Sequence, residues 1–146
     1  APDFTLPDQG GQEVSLSDFK GHRVLLVFYP LDFSPVCSDQ LTLYRDIDPQ
    51  LKEAGVTPLG ISVDSAFAHK AFQDHLGLET TLLADFEPKG AASRLFGAYF
   101  EPAGMTNRAL VLINPDSTIG WSYEADTPGD LPGANLLFDG IAAARG

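Results

Sequence analysis

The chain of 146 residues sets 9 Lys and Arg against 20 Asp and Glu, a formal net charge of −11 at pH 7. It has no basic cluster to replace the counterions of a phosphate backbone, which argues against nucleic-acid binding. Apolar residues make up 44% and aromatics 10%, enough for the core of one domain over residues 1–146 and too many for a disordered chain. No apolar run approaches the ~18 residues of a membrane-spanning helix, and no signal-peptide pattern is visible, so a cytoplasmic protein without membrane partners is expected.

In chain order, Asp3-Phe4-Thr5-Leu6 and Glu13-Val14-Ser15-Leu16 alternate about Asp8-Gln9-Gly10-Gly11, a hairpin signal. Ser17 to Gly21 reads as a polar turn. Val24 to Tyr29 is a continuous apolar run, as in a central strand covered on both faces. Pro30 to Pro35, with prolines at both ends, predicts an irregular loop. From Val36 the spacing of Leu41, Tyr44 and Ile47 predicts a helix, and Asp48-Pro49 predicts its interruption, with a second segment ending at Gly55.

Val56 to Val63 reads as a buried strand, Ala66 to Leu76 as a helix closed by Gly77, and Thr81 to Ala84 as a short strand. Within Ala66 to Leu76, Phe67, Lys70/Ala71 and Asp74 are spaced around the helix, and His69 and His75 read as solvated surface. Glu87 to Phe96 is a predicted helix and Pro102 to Thr106 an irregular stretch. Arg108 to Ile113 is a third buried strand, Thr118 to Ala125 its return strand, and Asn135 to Ala144 an amphipathic helix. Helices alternating with buried strands, flanked by hairpins, give an α/β sandwich with a mixed central sheet.

There is one cysteine, Cys37. Its solitude excludes an internal disulfide, a Cys-x-x-Cys pair and a cysteine-based zinc site, and leaves an inert buried thiol or a lone reactive one. The placement favours reactivity. Cys37 opens a helix after a strand and a loop, where free N–H groups and about half a positive charge stabilise a thiolate. Charges beyond ~8 Å are largely screened at physiological salt, so local groups decide, not the net −11. The candidates are the Ser34 hydroxyl and the arginines. Arg108 opens a buried strand near the loop; Arg45, two helical turns after Cys37, is placed to reach the loop's edge; Arg23 lies at the wrong strand end. Taken singly, Ser34 is as readily a turn residue and Arg108 a solvated strand-end charge.

Pro30-Leu31-Asp32-Phe33-Ser34-Pro35-Val36-Cys37 resembles the peroxiredoxin signature, a proline, then Thr or Ser, then cysteine. The likeness extends to Val27-Phe28-Tyr29, Gly60 to Ser65, His69 to Phe72, Leu76-Gly77-Leu78, Leu82 to Asp85 and Arg108 to Asp116. Within the family the chain looks most like the bacterioferritin-comigratory proteins and the one-cysteine alkyl hydroperoxide reductases of the E type. The resemblance implies a thioredoxin-like α/β/α sandwich with an extra N-terminal β-hairpin, and a peroxidase needing neither metal nor organic cofactor. It makes Cys37 the peroxidatic cysteine, Ser34 its hydroxyl partner, Arg108 the guanidinium and Pro30 the shield of the sulfur.

Three departures stand out. Ser34 replaces the commoner threonine, Gln40 stands where many relatives carry glutamate, and Thr42 occupies the position of a resolving cysteine. The mechanism implied is therefore one-Cys. A peroxide oxidises Cys37 to sulfenic acid, and an external thiol (thioredoxin, a glutaredoxin-like protein or a low-molecular-weight thiol) resolves it. Tyr29, Leu31 and Phe33 are candidates to line a substrate entrance, or else strand-end core, Gln40 is a further substrate-binding candidate, and a homodimer is compatible with the resemblance. The rival readings are a redox sensor of the same fold and a cysteine hydrolase using His22, His69 or His75, disfavoured because these read as surface residues.

Overall fold

The computed structural model describes residues 2–33, 35–86, 89–125 and 139–141, apart from the side chains of residues 35–37 and 39. The continuous apolar run becomes β3 (Arg23–Phe28), the middle of a five-stranded sheet. It runs parallel to β4 (Val56–Ser62) and antiparallel to β8 (Ala109–Ile113). Beyond β4 lies β5 (Thr81–Ala84), parallel, and beyond β8 lies β9 (Ile119–Glu124), antiparallel, giving the order β5-β4-β3-β8-β9.

Alternation along β3 feeds two cores. Val24, Leu26 and Phe28 meet Leu59, Ile61, Val111 and the hairpin's Phe4 and Leu6. Leu25 and Val27 meet Tyr44 and Leu51 of α1 (Pro35–Glu53), with Ile141 of the helical segment 139–141. Tyr29, at the end of β3, joins Leu41, Leu78, Leu82 and Phe72 of α2 (Ala66–Leu76). The layered α/β architecture with a mixed sheet is as expected from the sequence. So is the hairpin of β1 (Thr5–Pro7) and β2 (Glu13–Ser15). The hairpin loop also reaches the sheet's edge, where the Leu82 N–H donates to Gln9 Oε1 at 3.1 Å. No helix among the described residues is long and apolar enough to cross a membrane.

Local signals set the ends of α2. The Ser65 side chain accepts the Ala68 N–H at 3.2 Å, and Gly77 closes the helix at φ 65°. Other boundaries differ from expectation. The helix α1 runs unbroken through Pro49, although an interior proline costs about 3 kcal/mol or more. Leu51 beyond it is fully buried, as are Leu41 and Tyr44 before it, and Lys52 Nζ pairs with Asp48 at 3.0 Å across the proline. Burying such side chains is worth about 1.5–3 kcal/mol each, so packing overrides the local penalty.

The predicted helix of residues 87–96 shrinks to α3 (Ala91–Leu95), with Glu87 and Pro88 outside the described residues. Gly90 turns left-handed at φ 73°, under the Tyr99 ring, and blocks an earlier start. Asp85 then caps the helix from upstream, accepting the Ala92 and Ser93 N–H groups at 2.9 and 2.8 Å. The stretch expected to be irregular holds a small ladder, β6 (Tyr99–Phe100) against β7 (Met105–Thr106). Of the predicted helix over 135–144, only 139–141 is described.

Candidate active site

At the carboxyl end of β3 the chain turns through Pro30 to Phe33 and enters α1, in which Cys37 is the third residue. Its peptide therefore belongs to the first turn, whose N–H groups lack intrahelical partners and favour an anion. Ser34 and the Cys37 side chain lie outside the described residues, and Pro30, which opens the loop, is buried.

The antiparallel register pairs Phe28 with Ala109, so Arg108 sits beside this end of β3. Its backbone is held on both sides. The Arg108 N–H donates to Asn107 Oδ1 at 2.9 Å, its carbonyl accepts the Ala125 N–H at 2.9 Å, and Asn107 Nδ2 donates to the Ala125 carbonyl at 2.8 Å. The guanidinium is 2% exposed, which corrects the reading of a solvated strand-end charge.

Arg108 Nη1 donates to Gln40 Oε1 at 2.7 Å. Gln40 is fully buried and lies three residues after Cys37, about one turn further along α1. The bond brings the guanidinium to the first turns of α1. As a neutral acceptor, Gln40 orients the fork without cancelling its charge. Among the described residues Gln40 Nε2 has no hydrogen-bond partner. Burial lifts the neighbouring Tyr44 phenol well above its ordinary range, opposed only slightly by Gln40. Arg45 turns away from the loop, contrary to expectation, because its Nη1 donates to the Leu76 carbonyl at 2.7 Å.

Behind the loop lies a buried polar cluster. Tyr29 Oη donates to Asp32 Oδ1 at 2.6 Å, and Asp32 Oδ2 faces His69 Nδ1 at 2.7 Å. His69 Nε2 meets the Leu83 carbonyl at 2.9 Å. The Asp32 N–H donates to Asp64 Oδ2 at 2.8 Å, and Ser62 Oγ donates to the same oxygen at 2.5 Å. His69 is completely buried, which corrects its assignment to the surface. It shares a stripe with Phe72 and Leu76, whereas Phe67 is 89% exposed. The signal was present at spacings of three and four residues. Two of the residues named for a substrate entrance adjoin this cluster. Tyr29 is core, and Phe33 is half-exposed at φ 66°, its ring 5.0 Å from Phe72 and 5.6 Å from His75.

Burial, then the negative charges of Asp32 and Asp64, hold the Tyr29 phenol far above its ordinary range, so it remains a donor. Asp32, Asp64 and His69 each offer a ligand atom within 4.8 Å of the others, but an ion would displace these hydrogen bonds. Burial also raises the Asp64 carboxyl, against the opposing Ser62 bond. The folded chain therefore binds this proton more tightly than the unfolded one, and ionising Asp64 subtracts stability as pH rises through its raised native value. Asp64→Asn keeps an oxygen for both donors. At pH 7 it is expected to unfold no more easily than the parent in urea, and it should lose that carboxyl's contribution to the pH dependence. A lower midpoint at pH 7 would show that the carboxylate charge is needed.

The match to the AhpC/TSA family spans residues 1–122. The alkyl hydroperoxide reductase E of Mycobacterium tuberculosis is 38% identical over 144 residues, covering 98% of this chain and 94% of the relative. The putative peroxiredoxin bcp of Coxiella burnetii is 48% identical over 85 residues, covering 58% and 56%. Among solved structures, the Enterococcus faecalis AhpC superposes with a TM-score of 0.90 at 30% identity, over 99% of this chain and 89% of its own.

Proposed function

Because the chain belongs to the AhpC/TSA family and is a peroxiredoxin, a thiol-dependent peroxidase, we propose that it reduces hydrogen peroxide and organic hydroperoxides through a one-Cys mechanism at Cys37. The observation that carries this reading is the buried Arg108 guanidinium, bonded to Gln40 one turn beyond Cys37.

In the first step the Cys37 thiolate attacks one peroxide oxygen. A sulfur–oxygen bond forms, the O–O bond breaks, and the departing oxygen leaves with the electron pair and takes a proton to become water or an alcohol. Arg108, the first-turn N–H groups and the Ser34 hydroxyl are the donors assigned to that developing charge. In the second step an external thiol displaces water from the sulfenic acid to give a mixed disulfide. A second thiol then releases the Cys37 thiol and the reductant's disulfide. With a single cysteine in the sequence, both reducing equivalents come from outside.

The test mixes reduced protein with one equivalent of hydrogen peroxide, follows the rate in a stopped-flow instrument and weighs the product. Expected are consumption orders of magnitude faster than a free thiol and one added oxygen on Cys37. Continued turnover should occur only after thiol is added. A rate near that of a free thiol overturns the peroxidase reading, and sustained turnover without added thiol overturns the external resolution.

A further inference from the structure

We infer that His69 is a positioning residue for Cys37, acting through Asp32 to fix the turn that delivers the chain from β3 into α1. The inference rests on the reading of Cys37 as the reacting group. A backbone carbonyl only accepts, so the 2.9 Å contact to Leu83 requires a hydrogen on His69 Nε2. The other ring nitrogen lies 2.7 Å from Asp32 Oδ2 and 3.3 Å from Tyr29 Oη, which ties the ring to both.

Asp32 is thereby tied to four elements. Its carboxylate meets Tyr29 just beyond β3 and His69 of α2, through His69 it reaches Leu83 of β5, and its N–H is held by Asp64 just beyond β4. The next residue, Phe33, is in the left-handed region at φ 66°, a conformation a non-glycine residue keeps only when its surroundings impose it. Two residues later α1 begins. A shift of Asp32 is a shift of the helix start, and so of the free N–H groups around Cys37 relative to Arg108, which β8 and β9 hold separately. Removing the imidazole leaves a buried carboxylate short of a partner beside this strained turn, and the turn relaxes.

The test uses the full chain with His69→Ala, His69→Leu and Asp32→Asn. Three readouts are taken: alkylation rate against pH, which reports thiol ionisation without peroxide, the peroxide rate constant, and the urea midpoint. For both His69 variants the ionisation midpoint of Cys37 is expected to rise by about one unit. Oxidation should slow by roughly tenfold or more at neutral pH. Asp32→Asn, whose amide can donate to a neutral His69 and still accept from Tyr29, should stay within about threefold of the parent.

A folded His69 variant with unchanged ionisation and peroxide rate overturns the inference, leaving His69 a purely structural residue. Equal losses in Asp32→Asn also overturn it, because the carboxylate charge would then be acting instead of the hydrogen-bonded geometry. His69→Leu fills most of the space that His69→Ala would empty, so one of the two remains folded for measurement. If the parent itself reacts slowly with peroxide, the peroxidase reading fails, while the alkylation curve still decides the role of His69.

Discussion

Arg108→Met is expected to lower the rate constant for oxidation of Cys37 by two to three orders of magnitude, with the chain still folded. The size follows from what ionisation alone can supply. A thiol of ordinary pKa ~8.5 is about 3% thiolate at neutral pH, so full ionisation gains about 30-fold at most. Part of that is lost as nucleophilicity falls with pKa. The remainder must come from donors fixed where negative charge develops on the leaving oxygen, each worth about 2.7–4 kcal/mol in a water-excluded site. Arg108 is 2% exposed and held by Gln40 at 2.7 Å, so little reorganisation is needed when charge appears. Methionine keeps an unbranched apolar stem and removes both charge and fork. Lysine, a point charge without the planar fork, should recover only part of the rate. Stopped-flow oxidation at several peroxide concentrations measures this, and an unchanged rate in Arg108→Met would reduce Arg108 to a buttress of the β8–β9 junction.

Phe72→Ala should cost about 3–5 kcal/mol of unfolding free energy, the range for removing a buried aromatic from a packed core. Phe72 is fully buried among Tyr29, Leu41, Leu78 and Leu82, and it also carries the half-exposed ring of Phe33. The substitution empties the space between α2 and the sheet and removes the platform beneath the loop before Cys37. Five residues earlier in the same helix, Phe67 is 89% exposed, and its replacement by alanine should change stability by no more than about 0.5 kcal/mol. Urea unfolding of the pair checks both. A loss below about 1 kcal/mol at Phe72 would mean that the helix is held by its caps and polar contacts.

Several elements were legible from the sequence: β3 and β8 as continuous apolar runs, α2 with its end at Gly77, the hairpin from its alternation and turn. The errors arose where a local rule met a long-range contact. Pro49 carries a local breaking signal that the burial of Leu51 overrides. Gly90 shortens α3 because the Tyr99 ring and the Asp85 carboxylate, distant in sequence, decide where the first turn forms. For the site, Cys37 at a helix start and Arg108 at the opening of a strand were marked by position, and the family resemblance assigned their roles. Sequence spacing could not convey that Arg108 is buried and bonded to Gln40, 68 residues away. The contact of Asp32 with His69 spans 37 residues and was equally hidden, although the Phe72 stripe held a clue to the burial of His69.

The bond from Leu82 N–H to Gln9 Oε1 has a meaning beyond the positioning of the hairpin. β5 is an outer strand of the sheet, and Leu82, Leu83 and Ala84 are almost fully buried. An outer strand of that composition, laid bare, is a template on which another chain can add by the same ladder that builds the sheet. Gln9 occupies one rung with a side-chain amide that cannot propagate the ladder. The hairpin thus acts as a stopper against runaway strand addition, a protection from aggregation that matters most while a newly made chain has yet to close over its sheet.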